Sequence, residues 1–142
     1  MGVPAEAYQI HALLMSPPDA SVVVGQMPEE GRAHLGARLH NVYLSRESLI
    51  KIRQRHPEIT YIDLTWTPEI LAHGTLVAEE PPSRSIGAIY TFARTNRTFR
   101  AVVKLSGSRC DLWLTAFYRI DAKPMLRYVN SPLVLRRADR RL

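Results

Sequence analysis

The chain has 142 residues, 46% of them hydrophobic, and a formal net charge of +6 at pH 7. That length suits one domain with a proper core, and the apolar fraction excludes a disordered chain. No apolar run reaches membrane-spanning length, the start MGVPAEAYQIHALLM has no basic leader, and a single cysteine excludes an internal disulfide.

A soluble, cytoplasmic protein with no membrane partner is therefore expected. Charge distribution says more than the total. Residues 1–83 carry six Lys/Arg against ten Asp/Glu, net −4, whereas residues 84–142 carry thirteen against three, net +10. So polarised a chain attracts a polyanion, with RNA or another nucleic acid the foremost candidate. Two other readings stay open: the excess sits in the end segment from Arg136 to Arg141, or it meets an acidic protein.

In chain order, residues 5–15 predict a short helix stopped by Ser16-Pro17-Pro18-Asp19, and residues 1–20 read as an N-terminal segment or linker. Val22-Val23-Val24 predicts a short buried strand. Pro28-Glu29-Glu30 opens a helix that Gly36 ends. Residues 41–44 predict a brief strand leading to Ser45, the N-cap of a helix over 46–55, with Leu44 and Leu49 as its hydrophobic staple. Pro57 closes that helix and holds His56 at its end. A histidine there is either a packed structural residue or a group for proton transfer.

Thr67-Pro68-Glu69 then predicts a second helix, ended by Gly74, with Ile62, Leu64, Trp66, Ile70 and Leu71 as packing surface. A strand over 86–94 turns at Thr95-Asn96-Arg97-Thr98 into the stretch FRAVVKLSGSRCDLWLTAFYR, residues 99–119. This stretch predicts a hairpin with a four-residue loop, Ser106-Gly107-Ser108-Arg109. Alternation puts Phe99, Ala101, Val103, Leu105, Leu112, Leu114 and Ala116 on one greasy face. Arg100, Val102, Lys104, Trp113, Thr115, Phe117 and Arg119 fall on the other. In this register Arg100 faces Thr115, Val102 faces Trp113 and Lys104 faces Asp111. Cys110 is expected as a buried strand thiol, residues 125–129 as an edge strand, and residues 131–142 as a basic tail. One domain over 21–130 follows.

Some chemistries have no support in the sequence. The histidines at 11, 34, 40, 56 and 73 fit no zinc spacing, and GxGxxG, GxxxxGK[ST] and GxSxG motifs are missing. No metal and no cofactor is expected.

Residues 42–59 (VYLSRESLIKIRQRHPEI), 68–79 (PEILAHGTLVAE), 99–104 (FRAVVK) and 112–119 (LWLTAFYR) together resemble the PBECR family, the phage-associated branch of the barnase, EndoU, colicin and RelE nuclease superfamily. The likeness spans residues 22–120, its order and spacing carrying more than any single piece. It implies an α+β fold with N-terminal helices packed on one face of a twisted antiparallel sheet of about four strands. It also implies metal-independent RNA cleavage to a 2′,3′-cyclic phosphate. The family's histidine before proline matches His56, its strand lysine Lys104 and the hydroxyl of the next strand Thr115, the three expected catalytic residues. Arg100 and Arg119 are added from alternation as phosphate-binding groups, and Trp113 or Phe117 as a ring for stacking on a base. A toxin or phage effector so equipped would have an acidic inhibitor or immunity protein as partner. The competing readings are a non-catalytic nucleic-acid-binding module and a phage structural or assembly domain.

Overall fold

The computed structural model describes residues 2–107 and 110–138. Ser108 and Arg109 of the expected loop, and the end of the basic run from 139 onward, lie outside the described residues. The architecture is α+β, built on one mixed seven-stranded sheet in the order β1-β2-β6-β5-β4-β3-β7. The strands are β1 (Ser21–Gln26), β2 (Asn41–Ser45), β3 (Thr75–Ala78), β4 (Ser85–Phe92), β5 (Arg97–Leu105), β6 (Leu112–Arg119) and β7 (Val134–Arg136). All neighbours are antiparallel except β2 and β6, which run parallel through Val42–Leu112 and Tyr43–Trp113. The expected antiparallel sheet of about four strands is thus larger and mixed. The antiparallel β4-β5-β6 meander forms its centre.

Around the sheet lie the helices α1 (Ala7–Ala12), α2 (Glu29–Leu35), α3 (Arg46–Arg55), α4 (Tyr61–Leu64), α5 (Thr67–His73) and α6 (Ala122–Val129). α3 forms where its local signals place it. The Ser45 hydroxyl accepts the Ser48 N–H at 3.1 Å, a cap worth about 1 kcal/mol, and Leu44 and Leu49 are both fully buried as the staple requires. Gly36 ends α2 at φ 76°, in the left-handed region where a Cβ is costly.

Leu49 and Ile52 of α3, Ile70 and Leu71 of α5, and Ile10 of α1 pack on the face made by Phe99, Ala101, Val103, Leu112, Leu114 and Phe117. The described part of the expected linker, residues 2–20, belongs to the fold: Ile10 and Leu13 are core residues, and the Ala5 N–H donates to the Val23 carbonyl at 2.7 Å. Burial of an apolar side chain stabilises by about 1.5–3 kcal/mol, so this segment belongs to the fold.

The opposite sheet face is covered in part by α6, which corrects the expected edge strand over 125–129 and the expected packing of helices on one face only. Asp121 stands at the N-cap and Pro124 sits in the first turn, where it loses no bond. Helical spacing then aims Met125, Tyr128 and Val129 together at Val77, Ile89 and Ile120. The end segment also contributes structure. Strand β7 pairs with β3, and the Arg136 guanidinium donates to the Leu71 and Gly74 carbonyls at 2.8 Å each.

The meander's registers differ from expectation in ways that decide the site. The β4–β5 turn occupies residues 93–96, closed by Phe92 opposite Arg97, with Asn96 at φ 54°. Ile89 therefore faces Arg100 and Ser85 faces Lys104. Between β5 and β6, Lys104 faces Trp113 and Val103 faces Leu114, but Val102 faces Ala116 and Arg100 faces Tyr118. Thr115 is an extra residue, a β-bulge that reverses the alternation behind it. Phe117 consequently lies opposite Ala101, fully buried in the core rather than beside Trp113, while Ala116 and Tyr118 turn to the face of Arg100. Arg119 is exposed, opposite Phe99 and out of the Arg100 row. Cys110 precedes β6 at φ 56° and is only half-buried, so it is no strand thiol.

Candidate nucleic-acid interface

Alternate residues of β5 carry Arg100, Val102 and Lys104 onto the face that α6 partly covers, and two polar clusters form there. The first is centred on Arg100, whose side chain is only 10% exposed. Its Nη1 donates to the Tyr118 hydroxyl at 2.6 Å and its Nη2 donates to Glu79 Oε1 at 3.2 Å. The guanidinium carbon lies 4.3 Å from the centre of the Tyr128 ring. A buried cation is costly without such partners, and here a carboxylate, a phenol and a ring face supply them. Gly87 makes room: a Cβ there would stand 2.8 Å from Arg100 Nε. That Nε is itself buried without a hydrogen-bond acceptor among the described residues.

His56 joins this cluster from α3. β2 pairs with β6 only as far as Trp113, so among the described residues no strand pairs with the later part of β6 on that side, and the end of α3 packs against it. The His56 ring stacks on Tyr118 with centroids 5.0 Å apart and planes 20° from parallel, and its Nδ1 lies 3.7 Å from Glu58 Oε1. Half-burial pushes the Tyr118 phenol above its ordinary pKa of 10.0, against the lowering effect of Arg100. Beside the cluster opens a cavity of about 530 Å³ lined by Glu79, Glu80, Arg100, Arg127, Tyr128 and Ser131 among others.

The second cluster surrounds Lys104. This exposed lysine, Trp113 and Thr115 line a cleft of about 300 Å³ with Ser45 and Ser48 at the start of α3 and Ser106 before the loop. The Thr115 hydroxyl donates to the Val102 carbonyl at 3.3 Å, and the Trp113 ring leans on Tyr43 at 5.5 Å.

Of the expected site residues, Lys104, Thr115 and Trp113 share one cleft, and Arg100 and His56 meet through Tyr118. The two rows lie four residues apart on β5, about 13 Å at strand rise. His56 therefore belongs with Arg100 rather than with Lys104. Phe117 and Arg119 join neither cluster. Glu79, Tyr118 and Tyr128 were not among the expected residues. Glu79 sits at the start of a proline-rich loop, and strict alternation assigns Tyr118 to the greasy face; only the bulge brings it over.

Among the described residues, no group of three His, Cys, Asp or Glu is placed to hold a metal ion, and no helix is long and apolar enough to cross a membrane. The sequence matches no family model, no curated protein and no solved structure.

Proposed function

We propose that this chain is a metal-independent ribonuclease of the PBECR kind, with the Arg100 cluster as reaction centre and the Lys104 cleft as the seat of an adjoining nucleotide. The observation that carries this reading is the grouping of a carboxylate and an imidazole around one guanidinium: Glu79 bonded to Arg100, and His56 stacked on the tyrosine that Arg100 also bonds. Cleavage by a neighbouring hydroxyl asks for a base, an acid and a fixed positive charge.

In this reading the Glu79 carboxylate takes the proton of the ribose 2′-hydroxyl as its oxygen bonds to phosphorus. The bond from phosphorus to the 5′-oxygen breaks, and a protonated His56 gives that oxygen its proton. The products are a 2′,3′-cyclic phosphate and a 5′-hydroxyl end. Arg100 holds charge on the phosphoryl oxygens, its orientation set by Tyr118 and Tyr128. Lys104 holds the next phosphate, the Thr115 hydroxyl turns its one proton from the Val102 carbonyl to that phosphate, and Trp113 stacks on a base. As a toxin or phage effector the protein would meet a small acidic inhibitor on this same cationic face.

The test is incubation with RNA in EDTA, with analysis of the ends. Cyclic-phosphate ends are expected, falling by about 10²–10⁴-fold in rate in His56→Ala and in Glu79→Gln. Cleavage that stops in EDTA, or that both variants perform at the parent rate, ends the reading.

A second reading, a nucleic-acid-binding module without catalysis, is favoured by one detail: both terminal nitrogens of Arg100 are already bonded within the protein. It predicts RNA binding that weakens as salt rises, with the RNA left intact.

A further inference from the structure

A second cavity, of about 540 Å³, opens on the other face of the sheet, at the turn end of β4 and β5. Its walls are aromatic: Trp66, from the joint between α4 and α5, together with Tyr90, Phe92 and Phe99. The Trp66 and Phe92 centroids lie 5.3 Å apart, and Phe92 meets Tyr90 edge-on at 4.9 Å. Trp66 remains 41% exposed, so part of its ring is open to a ligand.

The polar groups of the cavity are few and unlike. Asp63, only 6% exposed, lines it. One of its carboxylate oxygens accepts the Thr60 N–H at 3.0 Å, and no cation among the described residues forms an ion pair with it. Arg94, within the turn, and Arg97, the first residue of β5, are both exposed and stand at the rim. Ring faces, a recessed acceptor and a cationic rim suit a planar heterocycle that donates hydrogen bonds at one end and carries an anion at the other.

We propose that this cavity binds a single nucleotide unit whose base carries an exocyclic amine. The base lies against Trp66 and Phe92, its amine donates to the Asp63 carboxylate, and the phosphate meets Arg94 and Arg97. Adenine, guanine and cytosine offer that amine; uracil does not. A free mononucleotide and a terminal nucleotide of RNA share this chemistry. The site is independent of the Arg100 cluster, which occupies the opposite face.

The experiment follows Trp66 fluorescence in Trp113→Phe, where Trp66 is the one remaining tryptophan. AMP is expected to change the signal saturably. UMP and adenosine should each bind about tenfold or more weakly, because uracil presents a carbonyl acceptor to Asp63 where the amine would donate and adenosine lacks the contact with the arginines. Inorganic phosphate alone should give no change. Arg97→Ala, at an exposed position, should weaken AMP binding and leave adenosine binding unaltered. A short oligonucleotide ending in adenylate, titrated beside AMP and against Arg97→Ala, separates the two sources: tighter binding that Arg97→Ala weakens assigns the pocket to RNA ends, and equal or weaker binding, or tighter binding that Arg97→Ala leaves unchanged, assigns it to free nucleotide. Absence of saturable binding by both ligands, or equal affinity for AMP, UMP and adenosine, overturns the proposal. No cleavage is read, so this site and the ribonuclease reading can each fail alone.

Discussion

The two faces of the β4-β5-β6 meander are built from the same strands, residue by alternate residue, yet they obey different rules. The face under α3 and α5 is closed by Phe99, Ala101, Val103 and Phe117, all at most 2% exposed. The face beside α6 buries a guanidinium instead, and manages it only with Tyr118, Glu79, Tyr128 and the missing side chain of Gly87 around it. A dry face is sustained by shape alone, whereas a charged one needs every partner in place. Substitutions on the first face should therefore act on stability, and, under the proposed function, those on the second on both stability and nucleic-acid binding, in a ratio set by burial.

The sharpest contrast pairs Phe117→Ala with Trp113→Ala, four residues apart on one strand. Urea unfolding should show a loss of about 3–5 kcal/mol for Phe117, because a large ring leaves a cavity in a closed core. Trp113→Ala should lose less than half as much and weaken RNA binding instead. Equal losses would show that Trp113 too is core and would dissolve the contrast.

Gly87→Ala probes the middle ground. Its new methyl meets Arg100 Nε and Nη2 at 2.8 and 3.0 Å, so the guanidinium must leave its partners. A loss of about 1–3 kcal/mol is expected and, under the proposed function, a fall in RNA cleavage alongside. Unchanged stability and cleavage would mean that Arg100 does not depend on this gap.

Tyr118→Phe is milder, since the stack with His56 survives and only the acceptor for Arg100 Nη1 is lost; about 1–2 kcal/mol is expected. This residue also has a pH signature. Burial raises its pKa above 10.0, so the fold favours the neutral phenol. That stability is fully present below pH 10.0 and is lost as pH rises through the folded-state value. The parent should thus weaken in alkali more steeply than Tyr118→Phe, which denaturation midpoints above pH 10 would reveal.

Smallest in stability is Lys104→Ala, because the side chain is exposed: a change within about 0.5 kcal/mol is expected. RNA affinity should still fall, and the slope of log affinity against log salt should drop by about 0.7, the share of one phosphate contact on a single strand. An unchanged slope would remove Lys104 from the interface.

Much of the fold was legible locally. Ser45, Leu44 and Leu49 announce α3, Gly36 ends α2, and the alternation of residues 99–105 sorts β5 correctly into two faces, because capping, left-handed turns and strand pleat depend on residues within a few positions of each other. The same sorting brought Arg100 and Lys104 to one side. It failed for Phe117 and Tyr118, since one extra residue at Thr115 inverts everything beyond it and no local signal marks a bulge.

The sequence by itself determined the charge polarity, the capped helix leading to His56 and the two-sided character of β5, each a property of neighbouring residues. Tertiary structure alone decided that Ile10 and Leu13 enter the core, that 122–129 coil into a helix over Ile89, and that Glu79 reaches Arg100 from 21 residues away. These depend on contacts distant along the chain, which form only when the sheet has assembled and offered a surface to bury against.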